Sequence, residues 1–263
     1  MRAIVLLTDF GHKDNFVGVM KGVILSINPE ASIVDLCHEV SPGNIREAAF
    51  LLKHSVSYFP KGTIFVVVVD PGVGTERRAI ALSAHQHLFV GPDNGLFTPL
   101  FDSAESIVEL NRTELFLPEV STTFHARDIF APVAAGLAKG LELAEVGDPI
   151  NDPVRLSLPE PVEEEGIIKG CVVEVDLFGN LITNIREATV RRSFKAPLEG
   201  LELRVKRRKV KGIANTYAER PAGELVALIG SSAYLEVAVN QGSAAEMLGC
   251  ERGDTVNLTT SSQ

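Results

Sequence analysis

Residues able to do chemistry gather in four short polar segments, each beside an apolar run where an α/β sheet would present groups to a ligand. The first is Thr8-Asp9-Phe10-Gly11-His12-Lys13-Asp14. Asp9, His12 and Asp14 are hard donors suited to a metal ion, although their spacing matches no specific metal signature. The same residues also read as local structure, with Asp9 in a turn and Asp14 as a helix N-cap. The second segment, Asp70-Pro71-Gly72-Val73-Gly74-Thr75-Glu76-Arg77, follows the apolar run TIFVVVV, so Asp70 is held at the rim of a rigid strand. Its proline and glycines permit a tight loop with exposed N–H groups, but it contains neither a dinucleotide fingerprint nor a phosphate-binding G-x-x-x-x-G-K. In the third, Phe124-His125-Ala126-Arg127-Asp128, Asp128 reads as the N-cap of an apolar helix and His125 lies just outside it. The fourth, Asp176-Leu177-Phe178-Gly179-Asn180, offers a carboxylate, an aromatic plate and an amide, the groups that would hold a cationic nucleoside.

The elements that must position these residues follow from hydrophobic periodicity. Ala3 to Leu7, Ile33 to Leu36 and Thr63 to Val69 read as strands, the last buried on both faces because its apolar run is unbroken. Phe16, Val19, Met20, Val23 and Ile27 trace one helical face, and Ile45, Ala48, Ala49, Leu52 and Val56 trace another. Shorter strands are expected at residues 79–82, 88–90 and 107–110, and a helix at 128–137. This alternation predicts an N-terminal α/β layered domain over residues 1–150. A Pro-rich, acidic segment at 151–165 reads as a linker. From 166 to 263, short β-prone runs separated by turn signals predict a small antiparallel sheet or barrel.

A chain of 263 residues with 45% hydrophobic and 22% charged residues has ordinary globular composition. No run reaches the roughly 18 to 20 uncharged apolar residues of a membrane span, and the polar residues that follow MRAIVLL come too early for a signal peptide, so a cytoplasmic protein is expected. Cys37, Cys171 and Cys250 are far apart and read as buried thiols. A net charge of −9 argues against a nucleic-acid footprint over the whole surface and is compatible with a cationic ligand. The basic run 204–211 is the exception; it reads as a solvated hairpin, with a turn signal at Gly212.

Taken in order, TDFGHKD at 8–14, DPGVGTERR at 70–78, GPDNG at 91–95, FHARDIFAP at 124–132, DLFGNLITNI at 176–185 and SSAYLEVAVNQGSAA at 231–245 resemble the S-adenosylmethionine (SAM) hydroxide adenosyltransferases, hydrolase relatives of the enzymes that halogenate adenosine. The resemblance implies an N-terminal α/β domain with a central, largely parallel sheet and a C-terminal antiparallel β-barrel. It also implies a homotrimer whose sites lie between subunits. By the same resemblance Asp70, Arg77 and His125 handle the attacking water, Asp9 holds the ribose hydroxyls, and Asp14 and Asp176 lie near the methionine ammonium. Phe178 would stack on adenine and Asn180 bond its edge, with Ser232 near the methionine carboxylate, Glu236 a further polar contact and the Val239 backbone against adenine. SAM is then the substrate and adenosine a product, with no cofactor and no metal. Attack at ribose C5′ expels methionine as a neutral thioether, so no acid is required and catalysis rests on placing and activating water. A halide-using relative carries an uncharged residue at the position of Asp70, where a carboxylate would repel the halide. Two other classes are a metal-dependent hydrolase built on Asp9, His12 and Asp14, and a noncatalytic protein binding a nucleoside or, through the basic run, a nucleic acid.

Overall fold

A computed structural model describes residues 2–261, and the chain divides at Ser157/Leu158 into two compact units. The first contains β1 (Ile4–Thr8), β2 (Ile33–Cys37), β3 (Ile64–Val68), β4 (Ala79–Ala84), β5 (His87–Pro92), β6 (Ala104–Leu110) and β7 (Gly147–Pro149), hydrogen-bonded in the order β2-β1-β3-β5-β4-β6-β7. The β2-β1-β3-β5 half is parallel, and β4, β6 and β7 join it antiparallel. Its helices are α1 (Phe16–Ile27), α2 (Ile45–Ser55), α3 (Ala131–Lys139) and the short α4 (Leu143–Val146).

Alternation along the inner strands produces two cores. Ile4, Leu6, Ile64, Val66 and Val68 face one side, packed with α1 and α3, while Val5, Leu7, Phe65 and Val67 face the other, with α2. Such two-sided burial is why β1 and β3 are apolar at every position.

Two helix readings need correction. The buried face of α1 is Val17, Met20 and Ile24, whereas Phe16 is 41% exposed. With apolar residues nearly all round α1, periodicity does not select a face; docking on the sheet does. Its N-cap is Asn15, without a side-chain capping bond, so Asp14 is not the cap. Nor is Asp128 an N-cap. It sits inside a π-helical turn, Ala126–Phe130, that leads into α3, and its fully buried carboxylate accepts the Ser121 N–H and a bidentate contact from Arg127. Burial pushes the Asp128 carboxyl up, but those hydrogen bonds outweigh it and leave the group below its ordinary value.

The second unit is built from β8 (Val162–Glu164), β9 (Ile167–Val175), β10 (Leu181–Arg186), β11 (Leu201–Val205), β12 (Arg208–Lys211), β13 (Ile213–Ala214), β14 (Leu225–Ile229), β15 (Tyr234–Val239) and β16 (Thr255–Thr260). They run β12-β11-β16-β9-β10-β15-β14-β13, with β8 paired to β9, as a barrel-like sheet that is antiparallel except between β13 and β14. Two short helices, α5 (Glu187–Ser193) and α6 (Ala244–Leu248), lie between strands. The basic run forms the β11–β12 hairpin, but its turn is at Lys206–Arg207, with Lys206 at φ 50°; Gly212 follows β12. Several of its charges are paired, Arg204 and Lys209 with Glu202 and Lys206 with Asp254. Among the described residues no helix is long and apolar enough to cross a membrane.

Candidate active site

Asp70 follows the C-terminal end of β3, where the main chain leaves the sheet through consecutive turns closed by Val73 N–H to Asp70 O and Thr75 N–H to Gly72 O. Those turns return Arg77 to Asp70. Arg77 Nε donates to both carboxylate oxygens, at 3.1 and 2.9 Å, and Nη2 donates to Oδ2 at 2.5 Å. The pair is nearly closed off from solvent, with side chains 9% and 5% exposed, and the guanidinium also lies over the Phe130 ring at 5.4 Å. The other member of the cluster arrives from a distant loop. Arg77 Nη2 is 2.8 Å from His125 Nδ1.

Because a guanidinium only donates, Nδ1 of His125 must accept, which assigns the proton of the neutral ring to Nε2. Burial and the adjacent Arg77 charge both push the imidazole below its ordinary pKa, against weaker opposing pulls from Asp70 and Asp128. The cluster therefore combines a fixed carboxylate, a cation and a neutral N–H donor. Gly74 allows the two loops to meet: it has φ +77°, and a Cβ there would lie 2.2 Å from the Thr122 carbonyl oxygen.

Asp9 lies just beyond β1, and its Oδ2 accepts the Gly43 N–H at 2.8 Å. Asp14 is exposed and lines an open groove with His12, Gly18 and Lys21. His12 packs edge-on against His38, 5.1 Å between centroids. Asp9, His12 and Asp14 do not converge as a ligand set, and among the described residues no other group of His, Cys, Asp or Glu does.

In the second unit, the β9–β10 turn is tied by Asp176. Its Oδ1 accepts the N–H groups of Phe178 and Asn180, at 2.9 and 2.8 Å, and its Oδ2 accepts Asn180 Nδ2 at 2.8 Å. The turn holds Phe178 74% exposed, an open aromatic face on a rigid base. Asn180 thus spends an amide proton inside the turn, which leaves its second N–H and its carbonyl for a ligand. Gly179, at φ +78°, packs so closely on Ser243 that a Cβ would lie 2.1 Å from Oγ.

Ser232 is half-buried in the turn closed by Ala233 N–H to Gly230 O at 2.9 Å, and Ala233 has φ 62°, a conformation better suited to glycine. Glu236 is buried on β15, on the face it shares with Ala238 and opposite the core residues Leu235 and Val237. Burial and the neighbouring Asp176 charge raise its pKa, opposed by a 2.9 Å hydrogen bond from the Tyr217 hydroxyl. Tyr217, which the sequence did not single out, is pushed up to about 12 by burial and by this contact. It is an isolated aromatic in a polar turn, and only the 19-residue separation closed by the fold reveals its partner. Val239 is buried, and its carbonyl accepts the Gly242 N–H.

Comparison with known proteins agrees along nearly the whole chain. Residues 4–147 match the SAM hydroxide adenosyltransferase N-terminal domain and residues 170–257 the C-terminal domain of the same family. The (R)-S-adenosyl-L-methionine hydrolase of Salinispora tropica is 40% identical over 97% of this chain and 97% of its own length. That of Thermus thermophilus is 40% identical over 98% of this chain and 100% of its own. A fluorinase from an Actinoplanes species is more distant, 29% identical over 97% of each chain. Among solved structures, an uncharacterized conserved protein from Thermotoga maritima superposes with a TM-score of 0.92 at 41% identity, covering 97% of this chain and 99% of that one. The chain belongs to the SAM hydroxide adenosyltransferase family.

Proposed function

We propose that this protein hydrolyses SAM to adenosine and L-methionine. The observation that carries the reading is the Asp70–Arg77–His125 cluster, in a chain 40% identical to (R)-S-adenosyl-L-methionine hydrolases. In the reaction a water oxygen forms a bond to ribose C5′ as the C5′–S bond breaks. The bonding pair goes to sulfur, which leaves as a neutral thioether, and the water gives up one proton. Nε2–H of His125 donates to one lone pair of the water and leaves the other aimed at C5′. Asp70, fixed by Arg77, accepts the departing proton through a lone pair that Arg77 leaves free. Ordering the water in line supplies several kcal/mol of the rate enhancement. Arg77 balances the carboxylate charge and holds both partners in place.

Asp9 binds the ribose hydroxyls through the oxygen not given to Gly43, while Asp14, Asp176 and Ser232 surround the methionine part and Glu236 makes a further polar contact. Phe178, Asn180 and the Val239 backbone hold adenine. The active form in this proposal is a homotrimer in which one chain's N-terminal unit is completed by another chain's C-terminal unit. No cofactor enters the reaction. A carboxylate beside the reacting carbon disfavours a halide nucleophile, which favours hydrolysis over halogenation. Incubating the pure protein with SAM, with and without chloride, tests the reading. Adenosine is the expected product in both; 5′-chloroadenosine as the main product in chloride, or no SAM consumed, overturns it.

A further inference from the structure

Behind Asp9 lies a continuous hydrogen-bonded chain that the proposed reaction does not use. Thr8, the last residue of β1, is fully buried, and its Oγ1 is 2.8 Å from Nδ1 of His38, a side chain with no solvent exposure. His38 Nε2 is 2.9 Å from Asp35 Oδ1, and Asp35 Oδ2 accepts Lys21 Nζ from α1 at 2.6 Å. On the other side, Thr8 Oγ1 accepts the Phe10 N–H at 3.2 Å, and the His38 carbonyl accepts the Gly11 N–H at 2.7 Å.

For a neutral imidazole the donors and acceptors fit in one direction. Burial pushes the Asp35 carboxyl up, but the hydrogen bonds from His38 and Lys21 outweigh it and hold the group below its ordinary value, so Asp35 accepts and His38 Nε2 carries the proton. Nδ1 then accepts the Thr8 hydroxyl proton, and the Thr8 oxygen is left to accept from Phe10. Every polar group in the chain is paired, and both residues that follow Asp9 are hung from His38, one through Thr8 and one directly. Thr8 has no route to solvent, so the Thr-His-Asp order is not a nucleophile relay.

We propose that His38, through Thr8, is a positioning residue for Asp9, and that the Thr8–His38–Asp35 chain sets the enzyme's demand for ribose hydroxyls. This rests on Asp9 being the ribose-binding carboxylate. With Phe10 and Gly11 fixed, Asp9 has one oxygen on Gly43 and directs the other to the ribose diol. If the chain is cut, Asp9 keeps its charge but loses its aim, and the loss falls on ligands that have hydroxyls.

The test compares affinities for adenosine and 2′,3′-dideoxyadenosine, measured by calorimetry on the full-length protein, in wild type, Thr8→Val, Thr8→Ser and His38→Gln. SAM turnover is followed separately. Thr8→Val is nearly isosteric and removes only the hydroxyl; Thr8→Ser restores it. We expect Thr8→Val and His38→Gln to weaken adenosine binding about tenfold. Dideoxyadenosine should change less than about twofold, and Thr8→Ser should behave as wild type. Equal losses on both nucleosides, or wild-type adenosine affinity in Thr8→Val, overturn the proposal. Wild-type protein that binds both nucleosides equally refutes Asp9 as the ribose ligand and the proposal with it, whereas SAM left unconsumed by a protein that still distinguishes them refutes the hydrolase reading alone.

Discussion

Arg77 donates to Nδ1 of His125 across 2.8 Å, and this contact decides what the imidazole can do. With Nδ1 occupied as an acceptor, the neutral ring offers only an N–H on Nε2, so the proposed reaction gives His125 the task of orienting water and leaves Asp70 as the proton acceptor. Asp70→Asn keeps the shape and removes that capacity. Single-turnover hydrolysis should slow by about 10²–10⁴-fold, the usual worth of a positioned general base. Adenosine affinity should change little, since water and not the nucleoside is affected. A normal rate in Asp70→Asn would place the water elsewhere.

The same contact predicts the acid limb of the pH profile. Burial and Arg77 push His125 below the 6.5 of an ordinary histidine, so the neutral ring persists as pH falls through that value. The sign for stability follows: a histidine held neutral favours the folded state above 6.5, and that contribution is lost as pH falls toward the lowered folded-state value. Turnover that depends on His125 should stay level through pH 6.5 and decline only below it, and an NMR titration of the His125 ring should show the matching low midpoint. A midpoint at or above 6.5 would mean that Arg77 does not control the ring.

Gly74 should be far less tolerant than glycines with equally unusual backbone angles. Gly62 has φ +82° at the opposite end of β3, and the nearest atom to its added Cβ is 3.8 Å away, an ordinary contact. Gly62→Ala therefore bears only the left-handed strain, about 1–2 kcal/mol, and should keep its activity. Gly74→Ala adds a collision with the Thr122 carbonyl, for about a further 1–3 kcal/mol. Because the collision pushes the His125 loop from Arg77, turnover should fall more steeply than stability. Denaturant melts and initial rates on both variants compare the two.

Phe178 gives the opposite signature from Asp70. At 74% exposure on the Asp176-tied turn it contributes little to folding, so Phe178→Ala should leave the melting temperature nearly unchanged. A stacked aromatic is worth about 1–3 kcal/mol to a bound base, so adenosine affinity should drop accordingly in calorimetry. Unchanged affinity would remove Phe178 from the adenine site.

How much of this was legible in the sequence varies with the range of the interactions. β1 and β3 could be read because burial on both faces makes every position apolar, a local property. The face of α1 could not, since apolar residues nearly encircle it and its docking on the sheet chose Val17 over Phe16. Asp14 and Asp128 look like caps by spacing alone; Asn15 takes the first position, and a π-helical turn carries Asp128 into a buried pair with Arg127. Asp70 and Arg77 are seven residues apart and could be suspected together, but His125 is 48 residues from Arg77 and joined them only through the likeness to a family. The Thr8–His38 contact and the Tyr217–Glu236 pair had no such guide, because their spacing belongs to the fold and not to any motif.

Sharing of sites between subunits yields the most quantitative expectation. The residues proposed for water and ribose all precede residue 130, and those proposed for adenine all follow residue 175. Asp70→Ala should inactivate the first half of a site and Asn180→Ala should cripple the second, where it also loosens the Asp176 turn. If each site joins halves from different chains, random exchange of the two variants at equal concentration makes the halves independent. Each half is then intact in one-half of cases, so about a quarter of sites are whole and about a quarter of wild-type activity should return. Sites built from a single chain would never be whole, since every chain carries one lesion. Mixed oligomers can be verified by native mass spectrometry of an isotopically heavy and a light variant. Exchange without recovery of activity would show that each chain completes its own site.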